Sequence, residues 1–413
     1  MSLCTREDIA KLDADDPLKG FRNQFELPPG LVYLDGNSLG CLPKSTPDRL
    51  ATVIREEWGR DLIRSWNTAD WINAPRRVGA KIARLIGAAA DEVVTVDSTS
   101  INVFKALNAC LQLSGDRKVL LSERGNFPTD VYMMQGLSML SGGRIETRLV
   151  DGEDVVAALD EDTAALLLTH VHYKTGRMRD MAAITKHAHD KGVPVIWDLS
   201  HSAGAVPVNL NGANADFAVG CGYKYLNGGP GAPAFLFAAT RHQEKVFPIL
   251  SGWLGHAAPF EFDDAYRPAA GIDRFQCGTP GILGTAALEA GLDVMLQAEM
   301  PALRRKSSAL GDLFLRLMDE RCGEFGFTPA CPEDAEERGS QVSFSHEHGY
   351  AIMQAIIARG VIGDFRAPDI LRFGFAPLYN SYDDVWQAVE TIRAVMVERA
   401  WDDPAFARRA AVT

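Results

Sequence analysis

The sequence predicts an α/β fold: a mainly parallel seven-stranded sheet in a large domain, followed by a small α+β domain at the C-terminal end. Three observations carry this expectation. From about Ile63 to Thr240, short apolar runs alternate with helical patterns, the signature of a parallel sheet wound with helices. Most of those runs are apolar throughout rather than alternating, as strands covered on both faces must be. After about Leu303 the order changes to a long helix, a strand, a helix, paired strands and a last helix.

Taken in order, the strands are Val93–Val96, Val119–Ser122, Ile145–Val150, Ala165–Thr169, Val195–Trp197, Phe217–Val219 and Ala234–Phe237, with helices such as Ser100–Leu113 and Asp180–Lys191 between them. The Gly-rich stretch 220–231 joins the last two strands and leaves no room for a crossover helix, so an antiparallel strand is expected there. Beyond it come a helix over Ala302–Arg321, a strand at Gln341–Ser345, a helix over Tyr350–Arg359 and paired strands within Val361–Phe375. Ser381-Tyr-Asp-Asp384 has the form of a capping box, with Asp in place of Glu or Gln, opening a final helix with apolar residues at helical spacing. Three segments follow: an N-terminal one, 1–62; the large domain, 63–302; and the small one, 303–413.

A chain of 413 residues, 46% hydrophobic and 23% charged, can bury a sizeable core. Its net charge of −12 argues against a nucleic-acid or anionic-membrane surface, which would need a basic face. The seven cysteines are scattered, odd in number and without a C-x-x-C pair, which fits free thiols in a reducing compartment. With acidic residues in the opening stretch and no long apolar run, the expectation is a cytoplasmic protein.

Chemistry enters at Lys224, 26 positions after Asp198. A carboxylate at the tip of one buried strand and an amine just past the next meet the needs of pyridoxal 5′-phosphate (PLP). The amine holds the aldehyde as a Schiff base, and the carboxylate keeps the pyridine nitrogen protonated. Thr99 and Ser100 open a helix after the first strand, a place suited to phosphate. Phe127-Pro128-Thr129-Asp130 follows the second strand and offers a ring to stack and a further carboxylate; Thr169 and His201 also lie at strand ends. Alone, each has a plainer reading: a helix cap, a turn former, a core ring, a solvated lysine. Together, in sheet order, they point to the cofactor.

These segments resemble fold-type I PLP enzymes of the class V aminotransferase group, and within it the kynureninase family. The resemblance spans essentially the whole chain and is carried most specifically by Trp197–Val208 and Gly222–Gly231, with Tyr33–Gly40, Leu62–Asn67, Asn126–Asp130, Ser251–His256 and Leu371–Phe375 in support. It implies a PLP-dependent hydrolase that cleaves L-kynurenine to anthranilate and L-alanine in tryptophan breakdown. It also implies a homodimer with shared active sites, in which segment 1–62 packs on the small domain and on the dimer partner. Lys224 would carry the cofactor and act as acid and base; Asp198 would pair with the pyridinium, with Asp130 on the same side, and Phe127 would stack on the ring. Thr99, Ser100 and Tyr223 would hold the phosphate, His201 would support the cofactor, and Pro128, Thr129 and Thr169 would complete its surroundings. Trp253 and Thr279 would reach the phosphate from the other subunit. Arg372 would grip the substrate α-carboxylate, while Asn37 and Trp66 would lie near its aryl ring. Trp66 stands where animal relatives carry His, which implies a preference for kynurenine over its 3-hydroxy form.

Some residues favour plain readings. The pairs His170/His172 and His187/His189 lack the carboxylate or thiol partners of a metal site, and no metal is expected. His256 serves either catalysis or a loop. Rival functions are another class V enzyme, an aminotransferase or a cysteine desulfurase, and a silent PLP-fold binding module. A desulfurase needs a mobile nucleophilic thiol, and the stretch 360–371 contains none.

Overall fold

The computed structural model describes residues 4–409; the outermost residues of the first and third segments, 1–3 and 410–413, lie outside that range. The central sheet has seven strands: β1 (Val93–Thr95), β2 (Val119–Glu123), β3 (Glu146–Val150), β4 (Thr163–Thr169), β5 (Val195–Asp198), β6 (Phe217–Gly220) and β7 (Phe235–Ala238). Their order is β1-β7-β6-β5-β4-β2-β3. All run parallel except β7, which is antiparallel to both β1 and β6.

The apolar runs are what this architecture requires. Every residue of β4 and β5 is buried. Alternate residues feed two separate cores, Leu166, Leu168 and Trp197 on one face and Ala165, Leu167 and Ile196 on the other. Burial on both faces removes the polar alternation a half-exposed strand would show. At the edge, β3 is only half-buried and its sequence is correspondingly mixed.

A second core belongs to the C-terminal part. The long helix Met300–Cys322 and the last helix, Tyr382–Val397, pack against a four-stranded antiparallel sheet ordered Thr328–Pro329, Gln341–Ser345, Ile370–Gly374, Asp364–Arg366. The capping box at Ser381 is present, with reciprocal bonds between Ser381 and Asp384. One expectation needs correction: Val361–Ile362 does not pair within this sheet. It pairs parallel with Val32–Tyr33, far away in sequence. The first segment is stitched on elsewhere too, since the Asp13 carboxylate accepts the N–H groups of Tyr382 and Asp383 at 2.8 and 3.0 Å. Those two N–H groups open a helix and have no intrahelical acceptor, so a carboxylate there meets both hydrogen-bonding need and helix dipole.

Candidate active site

Because six of the seven strands are parallel, their C-terminal ends share one edge of the sheet, and the residues that follow them converge on one cleft of about 290 Å³. Asp97, Ser98, Thr99 and Ser100 come after β1, Phe127 and Thr129 after β2, and Thr169 from the end of β4. Asp198, Ser200 and His201 end β5, Tyr223 and Lys224 follow β6, and Ala232 and Ala234 precede the reversed β7. Thr169 and Asp198 are register partners on adjacent strands.

Lys224 is buried, and its Nζ lies 2.9 Å from His201 Nε2. Burial, and then the Lys224 charge, hold His201 well below the usual histidine range, so the ring is neutral. Accepting from Lys224 at Nε2 puts the ring proton on Nδ1, and that buried atom has no partner. Lys224 Nζ also sits 5.8 Å from the Phe127 ring centroid and 5.9 Å from that of Tyr223. The loop that presents it is braced by the Asn227 N–H to Lys224 O and by Gly40 N–H to Tyr223 O.

Two carboxyl groups form the floor. Asp198 is buried, and one oxygen accepts the Ser200 N–H at 2.7 Å. Asp130 is fully buried on the first turn of the helix Pro128–Leu140, and neither of its oxygens has a partner. Burial pushes both upward, and Asp130 feels the Asp198 charge in addition. Two such carboxyls are costly to keep buried, and the Lys224 charge offsets only part of that cost. A protonated ring nitrogen would relieve them, and an aldehyde would meet the Lys224 amine. An acceptor oxygen would satisfy His201 Nδ1. At the other end, Ser98 caps the helix Thr99–Leu113, whose first N–H groups open toward the cleft, and Ser100 Oγ lies 2.6 Å from Thr129 Oγ1. A phosphate belongs there. The residues present fit PLP.

Other expected residues are placed differently. Pro128 opens its helix at the first position and is not part of the cleft lining. Asn37, expected beside a substrate ring, is instead completely buried against Gly374. Oriented to satisfy both ends, its amide donates to Asp35 Oδ1 and accepts from Arg372 Nε, which ties it to the arginine. Arg372 is buried and pairs with Asp364 through Nε and Nη2. Trp66 packs edge-on against Trp71, outside the cleft. Trp253 packs edge-on against Phe260 in a separate surface hollow with His256. Thr279 lines a second cavity, which shares Asp97 and Gly231 with the cleft.

Sequence reasoning missed several cleft residues, Asp97 and Ser200 among them, and above all Tyr173. Tyr173 lines the cleft, with its ring edge-on to Phe127 at 5.2 Å. Its carbonyl accepts from Arg372 Nη1 and from Gln341 Nε2. It is carried in by a turn closed by the Val171–Met178 bridge, whose backbone also bonds Glu337, Gly339 and Ser343 of the C-terminal part. The only local signal was a tyrosine four residues after a strand end.

Comparison with known proteins agrees with this geometry. A family model described as the kynureninase C-terminal domain matches residues 303–392, and one for the DegT/DnrJ/EryC1/StrS aminotransferase family matches residues 63–219. A kynureninase of Burkholderia mallei (strain SAVP1) is 53% identical over 99% of this chain and 100% of its own length. A kynureninase of Pseudomonas fluorescens is 49% identical over the whole of both. Among solved structures, the apo cysteine desulfurase from Thermococcus onnurineus NA1 superposes with a TM-score of 0.73 at 19% identity, covering 96% of this chain and 99% of that one. A mutant of C-DES with glycine covalently linked to its PLP cofactor gives 0.78 at 16% identity, covering 90% and 98%. At those identities the structures speak for the fold alone.

Proposed function

The chain belongs to the kynureninase family, and we propose that it hydrolyses the Cβ–Cγ bond of L-kynurenine to give anthranilate and L-alanine, with PLP as cofactor. The observation that carries the reading is the Lys224 amine, 2.9 Å from a neutral His201, above two buried carboxyls whose burial the Lys224 charge only partly offsets. When bound, PLP supplies an electron sink for the carbanion that forms at the substrate Cα. Asp198, together with Asp130, would keep the ring nitrogen protonated. Thr99, Ser100 and Tyr223 would hold the phosphate, Phe127 would cover the ring, and His201 would offer its unpartnered Nδ1–H to the cofactor. Pro128, Thr129 and Thr169 shape the walls.

Lys224 is the group that takes the proton from Cα and returns protons later in the cycle. The neighbouring His201, held neutral, takes no proton from it and keeps it in place. Arg372, ordered by Asp364, anchors the α-carboxylate. A water molecule adds to the γ-carbonyl, and collapse of the hydrate releases anthranilate. The reading keeps the division of the chain at 62/63 and 302/303. It also includes a homodimer in which Trp253 and Thr279 serve the partner's phosphate site. A desulfurase reading lacks its nucleophile, since Cys221, next to the cleft residues, is buried with its thiol pushed upward.

The test is purified protein with PLP and L-kynurenine, followed by kynurenine absorbance and anthranilate fluorescence. Stoichiometric anthranilate and alanine are expected. Lys224→Ala should abolish turnover and the borohydride-trapped link to the cofactor. Asp198→Asn should remain folded and lose about two or more powers of ten in kcat, since each pKa unit imposed on the ring is worth ~1.4 kcal/mol. Bound PLP without anthranilate moves the reaction to another amino acid, the 3-hydroxy form included. Near-normal turnover in Asp198→Asn removes that residue from its role.

A further inference from the structure

Arg372 has few donors to spare. The one Nε N–H is shared between Asp364 and the Asn37 amide oxygen, one Nη2 N–H goes to Asp364, the second Nη2 N–H goes to Ser38 Oγ at 3.0 Å, and one Nη1 N–H goes to the Tyr173 carbonyl. Of the five N–H groups on a guanidinium, one on Nη1 is left. A carboxylate gripped by a fork needs two. Arg372 is also only 1% exposed, and neither it nor Arg366 lines the cleft itself; Tyr173, on which both charges act, does.

Arg366 stands beside it. The strand Asp364–Arg366 pairs with Ile370–Gly374, and Asp364 is the register partner of Arg372. Arg366 Nη2 lies 2.7 Å from Asp364 Oδ2 and 3.3 Å from Ser38 Oγ, and Nη1 donates to Phe365 O at 3.1 Å. Among the described residues, its Nε–H and one Nη1–H have no hydrogen-bond acceptor, and its side chain is 31% exposed. The two guanidiniums therefore share Asp364 and differ in reach, one sealed and one open. Both impose their charge on His201 and Tyr173, residues of the cleft, and on Tyr173 Arg366 is the stronger. The cluster is also short of negative charge. Asp364 is ionised between two cations, while Asp35 nearby, raised to about 7, carries its full charge only above neutral pH. Arg366 itself is pushed below the usual guanidinium range by burial and by Arg372. An incoming anion would balance the set.

We infer that Arg366 is a second substrate-binding residue, which joins Arg372 in holding the α-carboxylate of the amino-acid substrate. This rests on the reading of the site as one for an α-amino acid. Asp364 then has the part of a shared spacer that fixes both guanidiniums, with Ser38 bridging them.

The test uses the PLP-loaded enzyme and its Arg366→Gln and Arg366→Lys variants. With L-kynurenine, Arg366→Gln should raise KM about tenfold or more, the worth of a charge-assisted hydrogen bond, with kcat within about threefold; Arg366→Lys should recover part of the loss. L-alanine and L-alaninamide, compared by equilibrium dialysis of the labelled compounds, give the second readout. Wild type should prefer the acid, and Arg366→Gln should lose most of that preference. A structural partner of Asp364 would alter melting temperature without erasing the acid-over-amide preference. An unchanged KM with the preference intact overturns the inference. If wild type does not cleave kynurenine, the functional reading fails, and the acid and amide comparison still decides the role of Arg366.

Discussion

At Asp35 the fold holds a carboxyl group in poor company. Burial, and then the charge of Asp364, raise it from its ordinary value to about 7, with Arg372 only partly compensating. A folded value above the unfolded one means that the native state binds the extra proton between about pH 4 and 7. Stability is therefore lost as pH rises through that window, and is flat above it. Asp35→Asn keeps the shape and removes the charge. Its advantage over wild type should grow from pH 4 to pH 7 and then level off, reaching on the order of 1–3 kcal/mol once the pairing with Arg372 is allowed for. Urea melts of both proteins at pH 5 and pH 8 check this; a constant difference between the two pH values would mean that Asp35 is ionised throughout. Residues of this kind are invisible in a sequence. Asp35, Asp364 and Arg372 meet only because Asp35 bridges to Gly374, a contact across more than three hundred residues.

Among the elements, the Lys224 loop depends on a close approach by the first segment. A Cβ on Gly40 would lie 2.3 Å from Lys224 O and 2.4 Å from Asn227 Oδ1, and the Gly40 N–H itself bonds Tyr223 O. Gly40→Ala must move the backbone that aims the lysine. Overpacking costs roughly 1–3 kcal/mol, while misplacing a reacting group by about 1 Å costs on the order of a hundredfold in rate. Activity should thus fall far more than melting temperature. Gly136→Ala, inside a helix where a Cβ meets nothing within 4 Å, should leave activity unchanged and raise melting temperature slightly. Retained activity in Gly40→Ala would show that the loop tolerates the shift. The central strands and the Lys224 loop were legible because their determinants are local: continuous apolar runs, Gly-rich turns, and a strand end followed at once by a polar side chain. The partner of Val361–Ile362 was not, since a two-residue parallel pair with Val32–Tyr33 leaves no pattern in either stretch. Tyr173 was missed for the same reason. What brings it to the cleft is the bonding of its turn to Gln341 and Ser343, not anything in its own neighbourhood.

On the scale of the molecule, Trp66 and Trp253, two expected site residues that lie outside the cleft, have exposed apolar neighbours close by in sequence. Ile63, 76% exposed, precedes Trp66, and Phe262, 80% exposed, follows Trp253. Trp58, Phe260 and Leu283 are exposed as well, and exposed apolar side chains are what an interaction surface offers a partner. A twofold partner would cover it and carry Trp253 and Thr279 toward a second cleft, because in a twofold dimer each chain gives the other what it receives. Complementation separates this from a site completed within one chain. Lys224→Ala and a Trp253→Ala/Thr279→Ala double variant should each be nearly inactive alone. In a heterodimer, one cleft has Lys224 from the second variant and Trp253 and Thr279 from the first, so it is intact, while the other cleft is doubly defective. Co-expressed in equal amounts, random pairing makes about half the dimers mixed, with one working site of two, so activity should return to about a quarter of wild type. If Trp253 and Thr279 served their own chain, no pairing could rebuild a site, and the mixture would show only the sum of its parts.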